Sequence, residues 1–133
     1  MLEDFIESNN LAAKILPYAA KGRLVKCRLF ICGKSYALAV AFASERISRE
    51  KLKAALKADS VEIADSVAVE DVTGYNSEFL PPISIYGVAV VLDQKAAEAE
   101  KLRCLVSDER TLEITPVEIA ETNEGCITAD ICE

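Results

Sequence analysis

The sequence predicts an α/β fold, a single-domain mixed β-sheet with flanking short helices, and three observations carry that prediction. Apolar and polar residues alternate through RLVKCRLFICGKSYALAVAFA, the pattern of a half-buried β-hairpin. IYGVAVVLD is almost unbroken in its apolar character, as expected of a strand covered on both faces. Between them, EKLKAALK repeats apolar residues at helical spacing behind a serine suited to capping. With 133 residues and 51% hydrophobic content the chain can bury one continuous core, so one domain over residues 1–133 is expected.

The elements follow in order. Leu2, Phe5 and Ile6 recur at helical spacing and Asn9-Asn10 supplies a stop, which predicts a short opening helix. A strand near residues 12–16 precedes the hairpin, whose turn falls at Gly33-Lys34. Ser48 caps a helix that faces the core with Leu52, Ala55 and Leu56. Val61 to Ile63 reads as a short strand, and Asp65 caps a helix carrying Val67 and Val72 that stops at Gly74, where glycine accepts the left-handed terminus. The loop TGYNSEFLPPIS then leads into the apolar strand, which ends at Asp93 before a short polar helix, QKAAEAEK. KLRCLVS and TLEIT alternate around Ser107-Asp108, Thr115-Pro116 opens a helix through Ile119, and CITADI closes the chain as a strand.

Composition removes several chemistries. With no histidine, imidazole bases, Ser-His-Asp triads and HExxH zinc sites are excluded. The five cysteines, Cys27, Cys32, Cys104, Cys126 and Cys132, have no paired spacing and read as small buried hydrophobes in a reducing compartment. No metal and no cofactor are implied. The N-terminus is acidic where a signal peptide would be basic, and no apolar run reaches the ~20 residues of a membrane span, so a cytoplasmic protein that does not enter a membrane is expected.

The net charge of −7 is unevenly spread: residues 1–57 carry 11 basic and 5 acidic side chains, the remainder 4 and 17. Contact with phosphate is therefore expected from the first part only, with Arg23, Lys26 and Arg28 as candidates. Arg46, Arg49, Lys51, Lys53 and Lys57 read as the solvated face of a helix.

Three signals occur in one order: a lysine within a hairpin strand at VKCRLF, the basic helix SERISREKLKAAL, and TGY followed, seven residues after its glycine, by Pro81-Pro82. Together with VAVVLD and two further strands they resemble the YbaK and prolyl-tRNA synthetase-associated domain family from about Leu24 to Ile131. The resemblance implies hydrolysis of the ester of mischarged tRNA, acting in trans, with the 3′ end of aminoacyl-tRNA as partner and an aminoacyl-tRNA synthetase as a further candidate. It places Lys26 and Gly74 in catalytic positions. Val25, Thr73, Tyr75, Pro81, Pro82 and Asp93 fall at substrate-binding positions, although an aspartate ending a strand also serves as a helix cap.

The chain departs from the family where glycines are expected ahead of the prolines: Glu78 and Phe79 stand there instead. They are carried as substrate-pocket positions, yet a carboxylate there would repel a phosphate or a developing oxyanion. The glycine-rich turn expected beyond Asp93 is replaced by LVSDERTLEI, and the segment before Lys26 is reduced to PYAAKGR. Two readings follow: a deacylase whose lysine and backbone amides act on an already activated ester, or a non-catalytic module on the same fold that recognises an aminoacyl or nucleotide end or a protein partner. Without the resemblance, Lys26 reads as a solvated strand lysine.

Overall fold

The computed structural model describes residues 1–133. In chain order the elements are α1 (Leu2–Ser8), β1 (Lys14–Leu16), β2 (Val25–Cys32), β3 (Ser35–Phe42), α2 (Arg49–Leu56), β4 (Glu62–Ile63) and α3 (Ser66–Thr73). They continue with β5 (Ala89–Asp93), α4 (Gln94–Ala97), β6 (Leu102–Ser107), β7 (Arg110–Ile114), α5 (Pro116–Thr122) and β8 (Ile127–Ala129). The strands form two sheets: a mixed five-stranded sheet in the order β4-β2-β3-β5-β8, and an antiparallel three-stranded sheet, β1-β7-β6. The expected α/β class with short flanking helices therefore stands, with the strands divided between two layers.

The β2-β3 hairpin is the longest ladder, in register from Val25↔Phe42 to Cys32↔Ser35. Gly33 has φ +65 at the first of the two turn positions, the conformation of a II′ turn that matches the twist of the flanking strands. Period-two alternation gives β2 two faces. Val25, Cys27 and Leu29 enter the main core with Leu38, Val40 and Phe42 of β3, while Phe30, Ala39 and Ala41 face the other way, against Leu52 of α2. The alanines on that outer face leave room for α2 to seat.

The main core lies between the two sheets, where Leu102, Cys104, Leu112 and Ile114 meet Val90 and Leu92. Helix caps follow the sequence: Ser48 accepts from Lys51 N–H, Asp65 from Ala68 N–H, and Thr115 with Glu118 forms a capping box. In α3 the residues turned inward are Val69 and Thr73, with Val72 partly buried against the same core and Val67 68% exposed. One expectation needs correction. The strand of IYGVAVVLD begins only at Ala89, because Gly87 adopts φ +75 and Tyr86 is turned out to solvent. No helix is long and apolar enough to cross a membrane.

Asp93 is fully buried at the end of β5. Its carboxylate accepts from Lys95 N–H at 3.2 Å, capping α4, and from Ile131 N–H at 3.0 Å, which anchors the C-terminal segment. Asp93→Ala strands both donors and is expected to cost about 2–3 kcal/mol, read as a lower urea midpoint at unchanged m.

Glu118 ties α5 to the segment before β1, accepting from Ala12 N–H at 2.8 Å and Ala13 N–H at 3.1 Å as well as from Thr115. Burial works against its charged form, but the Thr115, Ala13 and Ala12 donors outweigh it and hold the carboxyl below the usual range. That stabilisation is complete above the unfolded-state pKa of about 4.3 and is lost as pH falls through the lower folded value. Glu118→Gln is therefore expected to reduce stability at neutral pH and to shrink its fall on acidification below about pH 4, followed by urea unfolding across pH.

Candidate functional site

Lys26 is the second residue of β2, and its parity settles its direction: with Arg28 and Phe30 it belongs to the face opposite the main core. It is half-buried and makes neither an ion pair nor a side-chain hydrogen bond. The side chain stands between two depressions. One is a groove of about 430 Å³ on the outer face of the five-stranded sheet, floored by Phe30 and Ala41 and edged by Arg28, Arg46 and Arg49. The other is a cavity of about 250 Å³, bounded by the start of β2, by Cys104 and Leu105 of β6, and by Glu78 and Leu80 of the loop after α3. Lys26 lines both.

Charge in the groove is strongly positive once its pairs are counted. Its single carboxylate, Glu45, is bound to Lys95 at 2.7 Å, and the hydrogen bond with that ammonium holds its carboxyl below the usual range. Arg46 sits 3.5 Å from Glu133, with both side chains largely in solvent, so little of its charge is neutralised. Lys26, Arg28 and Arg49 have no acidic partner. Arg23, which does not line the groove, lies over the ring of Phe42, its guanidinium carbon 3.7 Å from the centroid, a cation–π contact.

The cavity has a different character, with seven of its nine lining residues apolar. It lies along an unpaired strand edge. Ala43 N–H donates to Leu24 C=O at 2.7 Å, so the even-numbered residues of β2 exchange their bonds with β3. The odd-numbered ones direct N–H and C=O to the opposite edge, where Leu29 C=O accepts from Ala64 N–H. β4 pairs only with Phe30 and Ile31, so the N–H groups of Val25 and Cys27, both of which line the cavity, have no strand partner. Burial, then the neighbouring Cys104, pushes the Cys27 thiol far above its ordinary pKa, so it contributes no negative charge there.

The structure thus brings Val25, Lys26 and Glu78 together around one cavity. The remaining expected positions lie elsewhere. Thr73 is a buried terminal residue of α3, donating to Val69 C=O at 2.7 Å and accepting from Tyr75 N–H at 3.0 Å. Gly74 is the left-handed C-cap of that helix, with φ +77. The Tyr75 hydroxyl bonds Ser84 at 2.9 Å, and burial raises its pKa. Pro81 and Pro82 are buried beneath the loop, where Pro82 C=O accepts from Asn123 at 2.9 Å. Phe79 is half-buried and lines neither depression, leaving the cavity open. Asp93 shares the face of Lys26 two strands away, about 10 Å along the sheet, but both its oxygens are occupied.

Arg46 and Arg49, expected to be solvated, are both exposed and at the same time line the groove. Lys51 and Lys53 do behave as helix-surface cations, bound to Asp130 and Glu50. The position of both arginines beside the N-cap Ser48 was the available signal.

The family model of the aminoacyl-tRNA editing domain matches residues 10–121. The chain belongs to that family. Among solved structures, the hypothetical protein APE2540 superposes with a TM-score of 0.88 at 19% identity, covering 99% of both chains. A proposed trans-editing enzyme for prolyl tRNA synthetase superposes at 0.86 with 17% identity, covering 99% of this chain and 94% of the other. A proposed signal transduction protein from Marinobacter aquaeolei VT8 superposes at a TM-score of 0.76 with 17% identity, covering 98% of this chain and 30% of the other. No curated protein sequence matches the chain. At these identities the superpositions establish the editing-domain fold, and membership of the editing family supports a role on aminoacyl-tRNA.

Proposed function

We propose that this editing domain hydrolyses the ester of mischarged aminoacyl-tRNA in trans, with the aminoacyl group in the cavity and the 3′-terminal nucleotides in the groove. The observation that carries this reading is the placement of Lys26, unpaired, on the wall shared by a cation-rich groove and an apolar cavity. An aminoacylated 3′ end has that same polarity: anionic phosphates on one side of an ester, an amino-acid side chain on the other.

The chemistry asks little of the protein. Water attacks the ester carbonyl, the bond to the ribose oxygen breaks, and the proton passes to that oxygen, releasing the amino acid and tRNA. The neighbouring ribose hydroxyl lies within reach of both oxygens and can relay the proton. The unpaired N–H groups of Val25 and Cys27 supply donors for the developing oxyanion, and Lys26 adds a positive charge beside the ribose phosphate. The apolar walls formed by Leu24, Leu80 and Leu105 favour an uncharged side chain. By likeness to the proposed trans-editing enzyme, tRNA charged by prolyl-tRNA synthetase belongs first in the test panel.

A non-catalytic module that captures the same end is the second reading, favoured by Glu78 standing where the family has glycine. Deacylation of a panel of mischarged tRNAs separates the two. Turnover is expected, and its absence beside an active family member would leave only the binding module. Lys26→Ala is expected to lower kcat/KM by about 10²-fold or more, the scale of one lost electrostatic group, with thermal stability preserved because the ammonium has no partner.

Phosphate contacts should be visible in salt dependence. Arg28→Ala and Arg49→Ala are each expected to raise KM with kcat little changed, and each to reduce the slope of log KM against log salt by roughly 0.7. Slopes equal to that of the unaltered protein would place the strand outside the groove.

A further inference from the structure

The cavity beside Lys26 holds a second charge that the editing chemistry leaves unused. Of its nine lining residues only Lys26 and Glu78 are charged, they are opposite in sign, and they do not pair with each other or with any other side chain. Glu78 is held by the loop and not by its own carboxylate. Its N–H donates to Asn76 Oδ1 at 2.9 Å, and the next N–H, of Phe79, donates to Asn76 C=O at 3.0 Å. The turn built on Asn76 thus sets the residue at the cavity mouth and leaves its oxygens free.

Glu78 is exposed at the mouth of a cavity whose walls, Lys26 apart, are apolar, and an unpaired carboxylate placed there attracts a cation. It also repels phosphate, so it must face the part of the ligand that carries none. The groove already offers Lys26, Arg28 and Arg49 to anions, while its own carboxylate, Glu45, is consumed by Lys95. Glu78 is therefore the only acidic side chain lining either depression whose charge is unclaimed. An aminoacyl ester carries one cation, the α-ammonium, bonded to the carbon beside the reacting carbonyl.

We infer that Glu78 receives the α-ammonium of the aminoacyl ester, so that the site selects esters with a free amine over N-acylated ones such as formylated or peptidyl esters. The inference rests on the editing reading and deepens it. Lys26 and Glu78 then grip the two ends of the reacting unit, the phosphate side and the amine side, with the ester between them. The carboxylate that looked incompatible with an oxyanion serves to place the carbonyl.

Three amides of 3′-amino-3′-deoxyadenosine 5′-phosphate test this by calorimetry: the L-alanyl amide, its N-acetyl derivative, and the propionyl amide, which has the alanyl shape without the amine. The alanyl compound is expected to bind about tenfold or more tightly than the propionyl one, the scale of a hydrogen bond to a charged group. Glu78→Gln, at an exposed position without side-chain contacts, should erase that preference, Glu78→Asp should retain part of it, and Lys26→Met should weaken all three compounds alike. Equal binding of the alanyl and propionyl amides, or a preference that survives Glu78→Gln, overturns the inference. Deacylation of alanyl-tRNA and N-acetylalanyl-tRNA gives a second measure. Equal rates for the two overturn the role of Glu78 and leave editing intact, whereas no hydrolysis of either, together with no binding of any amide, removes the editing reading as well.

Discussion

The arrangement of the candidate site depends on the eight-residue ladder between β2 and β3. One register, Val25 opposite Phe42, decides which residues of β2 enter the core, and a shift of one would carry Val25, Cys27 and Leu29 into solvent. The same register turns Lys26 and Arg28 to the outer face. It also leaves the N–H groups of Val25 and Cys27 at an edge that β4 is too short to cover. A packing requirement and a chemical arrangement are thus set by one constraint, and the aliphatic residues of β2 fix where its cation points.

That constraint was legible in the amino-acid order. Alternation through VKCRLF, glycine at the turn, and Ser48, Asp65 and Thr115 before their helices are local signals, and each corresponds to an observed bond or dihedral angle. The division of the strands into two sheets was not legible, because β1 pairs with β7 across about a hundred residues and nothing local encodes the partner. For the same reason Val67 could not be told from Val69: a two-turn helix offers too few apolar positions to fix its inward face. Around the site, sequence order brought Lys26 to attention but could not separate loop residues that line the cavity, Glu78 and Leu80, from those that hold the loop, Thr73, Tyr75 and Pro82. Arg46 and Arg49 look like any helix-entry cations until the outer face of the sheet lies beside them.

The charge distribution explains how a chain of net charge −7 can still present a positively charged surface. The excess acid lies in the second part of the sequence, and some of it is engaged locally: Asp93 by two backbone donors, Glu113 by Arg103 at 3.0 Å, Glu118 by the segment before β1. The basic first part supplies both β2 and the entry to α2, which converge on one side of the five-stranded sheet. Field direction follows from this separation more than from total charge.

The segment that carries Arg46 and Arg49 to the groove is held by residues 131–133, which do not line it. Ser48 N–H donates to Ile131 C=O at 2.8 Å, Glu133 N–H to Arg46 C=O at 2.9 Å, and Lys51 to Cys132 C=O at 2.7 Å, with Asp93 gripping Ile131 from below. These last residues touch no part of the cavity, yet they act as a clasp on the two arginines that border the groove. Loosening those bonds would free the basic border of the groove while the residues lining the cavity stayed in place, so the two depressions are held by separate parts of the fold.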